Sequence, residues 1–171
     1  SFALPVGTRT PSKRAYSMAS PMRADGTLRL ILDRVPNGVG SNYLAALERG
    51  DPLKILNCMG NFVLPNRLQA DVLFVARYTG LVPILAMLQE LENRRYEGSV
   101  HLIYSSPTED EMFCLDELHG LKLKRFSIER ILLDDARNES PELDASLSLL
   151  NTLDFDSVNV FICGLGSMVR P

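Results

Sequence analysis

DVLFVARYTGLVPILAML, residues 71–88, sets an unbroken apolar run against a second apolar stretch of different period, with the polar break RYTG between them. DVLFVA (71–76) has the length and the branched and aromatic content of a buried strand. Beyond the break, over 80–96, Ile84, Met87, Leu88 and Leu91 recur at helical spacing. The same alternation continues outward. VHLIYS (100–105), FSIERILL (126–133) and VNVFIC (158–163) read as strands, and 109–119 and 140–153 as helices between them. In SPEL (140–143), Ser140 suits a helix cap and Pro141 the first turn. Strands alternating with helices predict crossover units and a parallel sheet, with any ligand site at the carboxyl ends of the strands.

Residues 1–68 follow another pattern. TLRLILDRV (27–35) and PLKILN (52–57) are strand-like, PNGVG is a turn-forming loop, and SNYLAALERG is a short helix ending at Gly50. The break between the two parts falls in LPNRLQA (64–70), where proline and asparagine interrupt the apolar pattern.

Charge divides the chain at the same place. Residues 1–68 hold nine Lys+Arg against four Asp+Glu, net +5, and residues 69–171 hold nine against seventeen, net −8, giving −3 for the whole. The arginines of the first part are scattered among prolines and glycines rather than clustered with aromatics, so nucleic acid is not expected. A phosphate-bearing small molecule or an acidic protein partner suits them better. No apolar run is long enough to span a bilayer. Three widely spaced cysteines, Cys58, Cys114 and Cys163, form neither a disulfide framework nor a metal motif, and a reducing cytoplasm fits them. No bound metal is expected.

Two segments offer ligand chemistry from their residues alone. If RAYSMAS (14–20) is extended, Arg14, Tyr16, Met18 and Ser20 share one side and Ser17 points to the other. An arginine suits a phosphate and an aromatic ring a flat π-system. The same pattern also fits an edge strand whose Arg and Tyr snorkel at the surface. In GVGSNYL (38–44), two glycines leading into Ser41 at a helix start expose backbone N–H groups to an anion, or simply cap a helix after a turn.

Taken in order, RAYSMAS, GVGSNYLAALERGD, VARYTGLVPILAML (75–88) and VFICGLGSMV (160–169) resemble the ferredoxin–NADP reductase family. The resemblance implies a two-part molecule: an incomplete antiparallel β-barrel flavin-binding domain over 1–68, the C-terminal part of the barrel, then an α/β parallel-sheet, Rossmann-like NAD(P)-binding domain over 69–171, truncated at its C-terminus. The cofactors implied are FAD and NAD(P)H. Arg14 would pair with the flavin pyrophosphate, Tyr16 pack on the isoalloxazine, and Ser17 hydrogen-bond near its reactive nitrogen, while Gly40 and Ser41 cradle the pyrophosphate. Thr79, Gly80 and Pro83 match the family's nucleotide loop, and Cys163 and Gly164 the segment beside the nicotinamide. Ser17 and Cys163 are the catalytic candidates. His101 and His119 lie in no matched motif.

The chain departs from the family at Arg77 and Tyr78, where relatives carry small residues. Two bulky side chains would crowd a pyrophosphate, or Arg77 would bring it positive charge. In YSSPTEDEMF (104–113), Pro107 stands where relatives that grip a 2′-phosphate often hold arginine. The carboxylates of 109–111, with Asp134 and Asp135, favour NADH over NADPH, and the 109–111 run equally fits an exposed acidic helix start. The expected activity is hydride transfer from NAD(P)H to FAD, with electrons passed onward to an acceptor such as an acidic ferredoxin-like protein. The alternative is a non-catalytic flavin- or nucleotide-binding module.

Overall fold

The computed structural model describes residues 2–6, 12–56, 59–133, 141–153 and 155–164. Its second part is a four-stranded, all-parallel sheet built from β3 (Asp71–Arg77), β4 (Ser99–Ser106), β5 (Arg125–Leu132) and β6 (Val158–Cys163) in the order β5-β4-β3-β6. The crossovers carry α2 (Leu81–Asn93), α3 (Leu115–His119) and α4 (Pro141–Leu150). The chain moves from β3 outward to β4 and β5, then returns to place β6 on the other side of β3. Strand order therefore reverses between β3 and β6, and a crevice opens at their carboxyl ends.

One face of the sheet carries the larger core. Val72, Phe74 and Ala76 of β3 and Val100, Leu102 and Tyr104 of β4 pack against Leu81, Ile84, Leu85, Leu88 and Leu91 of α2. Each such leucine contributes about 2 kcal/mol by leaving water. Burial pushes the Tyr104 phenol up to about 12, and its oxygen accepts the Phe113 N–H at 3.3 Å. On the opposite face, Leu73, Val75 and Ile103 meet Ala145, Leu149 and Leu150 of α4. β3 and β4 are thus buried on both sides, as their continuous apolar runs require.

Helix α2 follows Gly80 without a side-chain cap, and Pro83 sits in its first turn, where a missing N–H costs nothing. It ends with the Tyr96 N–H donating to the Leu91 carbonyl (3.0 Å) and the Arg95 N–H to Glu92 (2.9 Å). This Schellman closure places Arg95 at φ 51°, a left-handed position usually filled by glycine. The predicted helix over 109–119 shrinks to α3, preceded by Cys114 at φ 59°. Ser140, Asp134 and Asp135 lie outside the described residues.

The first part holds β1 (Phe2–Val6), paired antiparallel with β2 (Ser12–Tyr16), and α1 (Val39–Ala45). Among its described residues this pair and one isolated bridge, Met18 to Leu30, stand where a partial barrel is expected. Residues 27–35 and 52–56 run without a strand ladder there. Alternation suits a pleated strand, but a ladder also needs a neighbour in register, and among the described residues the cross-chain backbone bonds of 27–30 are the Ala19 N–H on the Arg29 carbonyl (2.8 Å) and the Arg23 N–H on Thr27 (3.0 Å). Helix α1 stops at Ala45, short of the predicted end at Gly50.

Candidate functional site at the junction of the two parts

A cleft of about 600 Å³ lies where β2, the 31–41 segment and the start of α2 meet, and Arg14, Tyr16, Ser17, Gly40, Ser41 and Thr79 all line it. A second cleft of about 420 Å³, more apolar, is lined by Ser17, Met18, Phe62, Pro83, Met87 and Cys163 among others. Ser17 borders both. Residues from five separate sequence segments are thereby brought to adjoining walls.

Arg14 and Tyr16 share a face of β2, as alternation requires, and the strand ends before Ser17. Among the described residues Arg14 has no carboxylate partner; its guanidinium donates only to the Lys13 carbonyl at 2.9 Å. Burial raises the Tyr16 phenol, partly offset by Arg14. A Cβ on Gly40 would overlap the Tyr16 hydroxyl and stand 3.2 Å from Arg14 Cγ, so only glycine lets β2 and α1 close this tightly.

Ser41 is not the helix cap. Gly38 holds that position, and the buried Ser41 Oγ instead accepts the Val35 N–H at 3.1 Å. The N–H groups of Gly40 and Ser41, in the first turn, find no acceptor among the described residues. Asn37, at φ 59° in the PNG turn, and Asp33 also border the first cleft. Sequence reading did not single out either as a site residue, though the Asn-Gly pair is a readable sign of a left-handed turn position.

Thr79 and Gly80 form a 3₁₀ turn between β3 and α2, at the point of strand-order reversal. A Cβ on Gly80 would overlap the Cys163 carbonyl oxygen and lie 2.9 Å from the Gly164 N. That close approach binds the β3 loop to the end of β6 and assembles Thr79, Gly80, Cys163 and Gly164 at one crevice. Burial raises the Cys163 thiol, so it stays protonated at neutral pH.

Arg77 takes no part in this crevice. Its guanidinium forms two 2.7 Å bonds to the Glu142 carboxylate on α4, and Ser105 donates to the same carboxylate. Burial alone would raise Glu142, but the bonds from Arg77 and Ser105 outweigh it and hold the carboxyl low. The expectation that Arg77 would lend charge to a pyrophosphate is therefore corrected: β3 turns odd-numbered side chains to the α4 face, and Arg77 is neutralised there.

Tyr78 occupies φ 49°, a conformation glycine adopts freely and tyrosine at a cost of about 1 kcal/mol. Its ring stands edge-on to Phe113 at 6.4 Å. Glu109, Asp110 and Glu111 are exposed beyond the carboxyl end of β4, and at that end the wholly buried Ser106 hydroxyl has no partner among the described residues. His101 Nδ1 meets Ser127 Oγ at 2.8 Å on the sheet and touches neither cleft.

A ferredoxin–NADP reductase of Sorangium cellulosum is 31% identical over an alignment covering 92% of this chain and 68% of that protein. The chain belongs to the ferredoxin–NADP reductase family. Residues 3–64 match the family model described as an oxidoreductase FAD-binding domain. The electron transfer component of a Pseudomonas putida xylene/toluene monooxygenase is 32% identical over 74% of this chain but only 37% of its own length. The solved ferredoxin NADP+ reductase of Neisseria gonorrhoeae, with bound FAD and NADP, superposes with a TM-score of 0.78 at 26% identity, covering 99% of this chain and 74% of that one. The chain spans 37–48% of the electron transfer components it matches. The parallel sheet agrees with expectation, and its strand order adds the reversal between β3 and β6. Among the described residues, no helix is long and apolar enough to cross a membrane.

Proposed function

We propose that this chain is the working part of an FAD-dependent NAD(P)H reductase, with 1–68 holding the flavin, as the C-terminal part of a barrel, and 69–171 the nicotinamide nucleotide. The observation that carries the reading is the convergence of Arg14, Tyr16, Ser17, Gly40, Ser41 and Thr79 on one cleft that adjoins Cys163 across Ser17. The residues fit a flavin dinucleotide: an uncommitted arginine, two free amides and an aromatic side chain stand together, and Gly40 keeps the wall flat. When bound, the nicotinamide supplies a hydride and the flavin accepts it and releases electrons singly or in pairs.

The chain's own groups bind and orient. Arg14 and the amides of Gly40 and Ser41 hold the pyrophosphate, which favours FAD over FMN. Tyr16 packs on the ring system, and the Ser17 hydroxyl donates or accepts near the reactive nitrogen. Thr79, Gly80 and Pro83 shape the approach of the second nucleotide, and the neutral Cys163 thiol and Gly164 press the hydride donor toward Ser17. Carboxylates at 109–111 favour NADH, because they suit a ribose hydroxyl and repel a 2′-phosphate. The net +5 of residues 1–68 suits an acidic, ferredoxin-like acceptor, whose turnover would fall at high salt. The free thiols Cys114 and Cys163 suit a reducing cytoplasm.

Full-length protein mixed with FAD and titrated anaerobically with NADH and then NADPH tests this directly. The flavin is expected to bleach with NADH first. Flavin that binds yet stays oxidised with both donors would sink the reductase reading and leave the non-catalytic module, which the bulky Tyr78 motivates. Arg14→Ala should weaken FAD more than FMN, which has one phosphate fewer, and equal loss for both would remove Arg14 from the pyrophosphate.

A further inference from the structure

Tyr78 combines four features that the proposed reaction does not require. It stands at the carboxyl end of β3, beside the strand-order reversal where a ligand enters. Its backbone holds a left-handed φ of 49°, where only glycine is free of strain. Its ring is pinned edge-on to Phe113 at 6.4 Å, and Phe113 is itself braced by Tyr104, ring to ring at 6.2 Å. Burial first, and then the nearby charges of Asp33 in the first part and of Glu111, raise the Tyr78 phenol. At the end of β4, beside this turn, the wholly buried Ser106 hydroxyl has no partner among the described residues.

We propose that Tyr78 is a specificity-determining cover on the nucleotide crevice: its ring takes the room a glycine would leave for dinucleotide phosphates, and the nucleotide enters only when that ring leaves Phe113. This rests on the reductase reading of the crevice. Strain at a ligand-binding edge is retained where it serves selection, and here the aromatic contacts with Phe113 hold the strained residue in place. A ligand must then displace contacts that a glycine loop never makes, so the apparent nucleotide affinity is reduced in proportion to the fraction of time the cover is off.

The test is calorimetric titration of the FAD-loaded full chain with NAD⁺, which cannot reduce the flavin and so reports binding alone. Tyr78→Gly is expected to bind NAD⁺ at least tenfold more tightly than the parent. Tyr78→Asn, which tolerates a left-handed backbone with a small side chain, should show the same direction and guards against a merely loosened loop. Tyr78→Phe, keeping the ring and losing the hydroxyl, should tighten by no more than about threefold. Unchanged or weaker binding in both small variants would overturn the cover while leaving the reductase reading intact. Absence of NAD⁺ binding in every variant, with flavin bound throughout, would overturn both.

Discussion

Gly40 is where the cleft lined by Arg14, Tyr16 and Ser17 closes on the Tyr16 hydroxyl. A Cβ there would meet the Tyr16 hydroxyl, the movable end of a side chain, rather than fixed backbone. Gly40→Ala is therefore expected to push Tyr16 aside instead of unfolding the chain. Overpacking of this kind costs about 1–3 kcal/mol of stability, and the displaced Tyr16 ring is expected to weaken FAD binding. Fluorescence titration of FAD against the variant, beside its melting curve, checks it: unchanged affinity would mean that Tyr16 does not pack on the flavin. Residues of this kind were legible from sequence because a small set of groups recurs in fixed order. Arg77 was not. Its position beside the nucleotide loop suggested a phosphate contact, and only the pleat of β3 and the placement of α4 send it to Glu142.

At the scale of single elements, the end of α2 and the anchoring of α4 give opposite expectations. Arg95 fills the left-handed position of a Schellman closure, where a side chain is strained. Arg95→Gly is expected to stabilise the protein by about 0.5–1 kcal/mol, read as a raised midpoint in chemical denaturation. Glu142, 2% exposed, pairs with Arg77 at 15%. Removing one partner strands a largely buried guanidinium, so Glu142→Gln is expected to cost about 3 kcal/mol. Because the folded carboxyl titrates below its ordinary 4.5, its contribution is present above that pH and is lost as pH falls through the depressed value. The stability gap between parent and Glu142→Gln should thus narrow as pH is lowered from 6 toward 3, in denaturant midpoints measured across that range. A gap that stayed constant would contradict the pairing.

The two parts are also tied together away from the clefts. Arg29 of the first part contacts both Glu117 carboxylate oxygens at 2.9 Å and donates to Cys114 Sγ at 3.2 Å, while Gln89 of α2 donates to Glu117 at 2.6 Å. The pair is about one-third exposed, so Arg29→Ala should cost about 1 kcal/mol and lower the melting temperature by roughly 2–4 °C. If this bridge sets the relative placement of the parts, limited proteolysis between residues 19 and 30 should quicken in the variant and FAD affinity should fall. A variant with unchanged proteolysis and affinity would reduce the bridge to a surface pair. The sequence by itself determined the parallel sheet and the two-part division of charge and pattern, and it named several of the residues that line the first cleft, because apolar period and short motifs are local properties. Tertiary structure alone decided which strand-like segments found ladder partners, that Ser41 spends its hydroxyl on Val35, that Arg77 is neutralised behind the sheet, and that Tyr78 takes a left-handed backbone with its ring against Phe113. These depend on which groups meet across long sequence separations, and no local pattern encodes a partner that lies dozens of residues away.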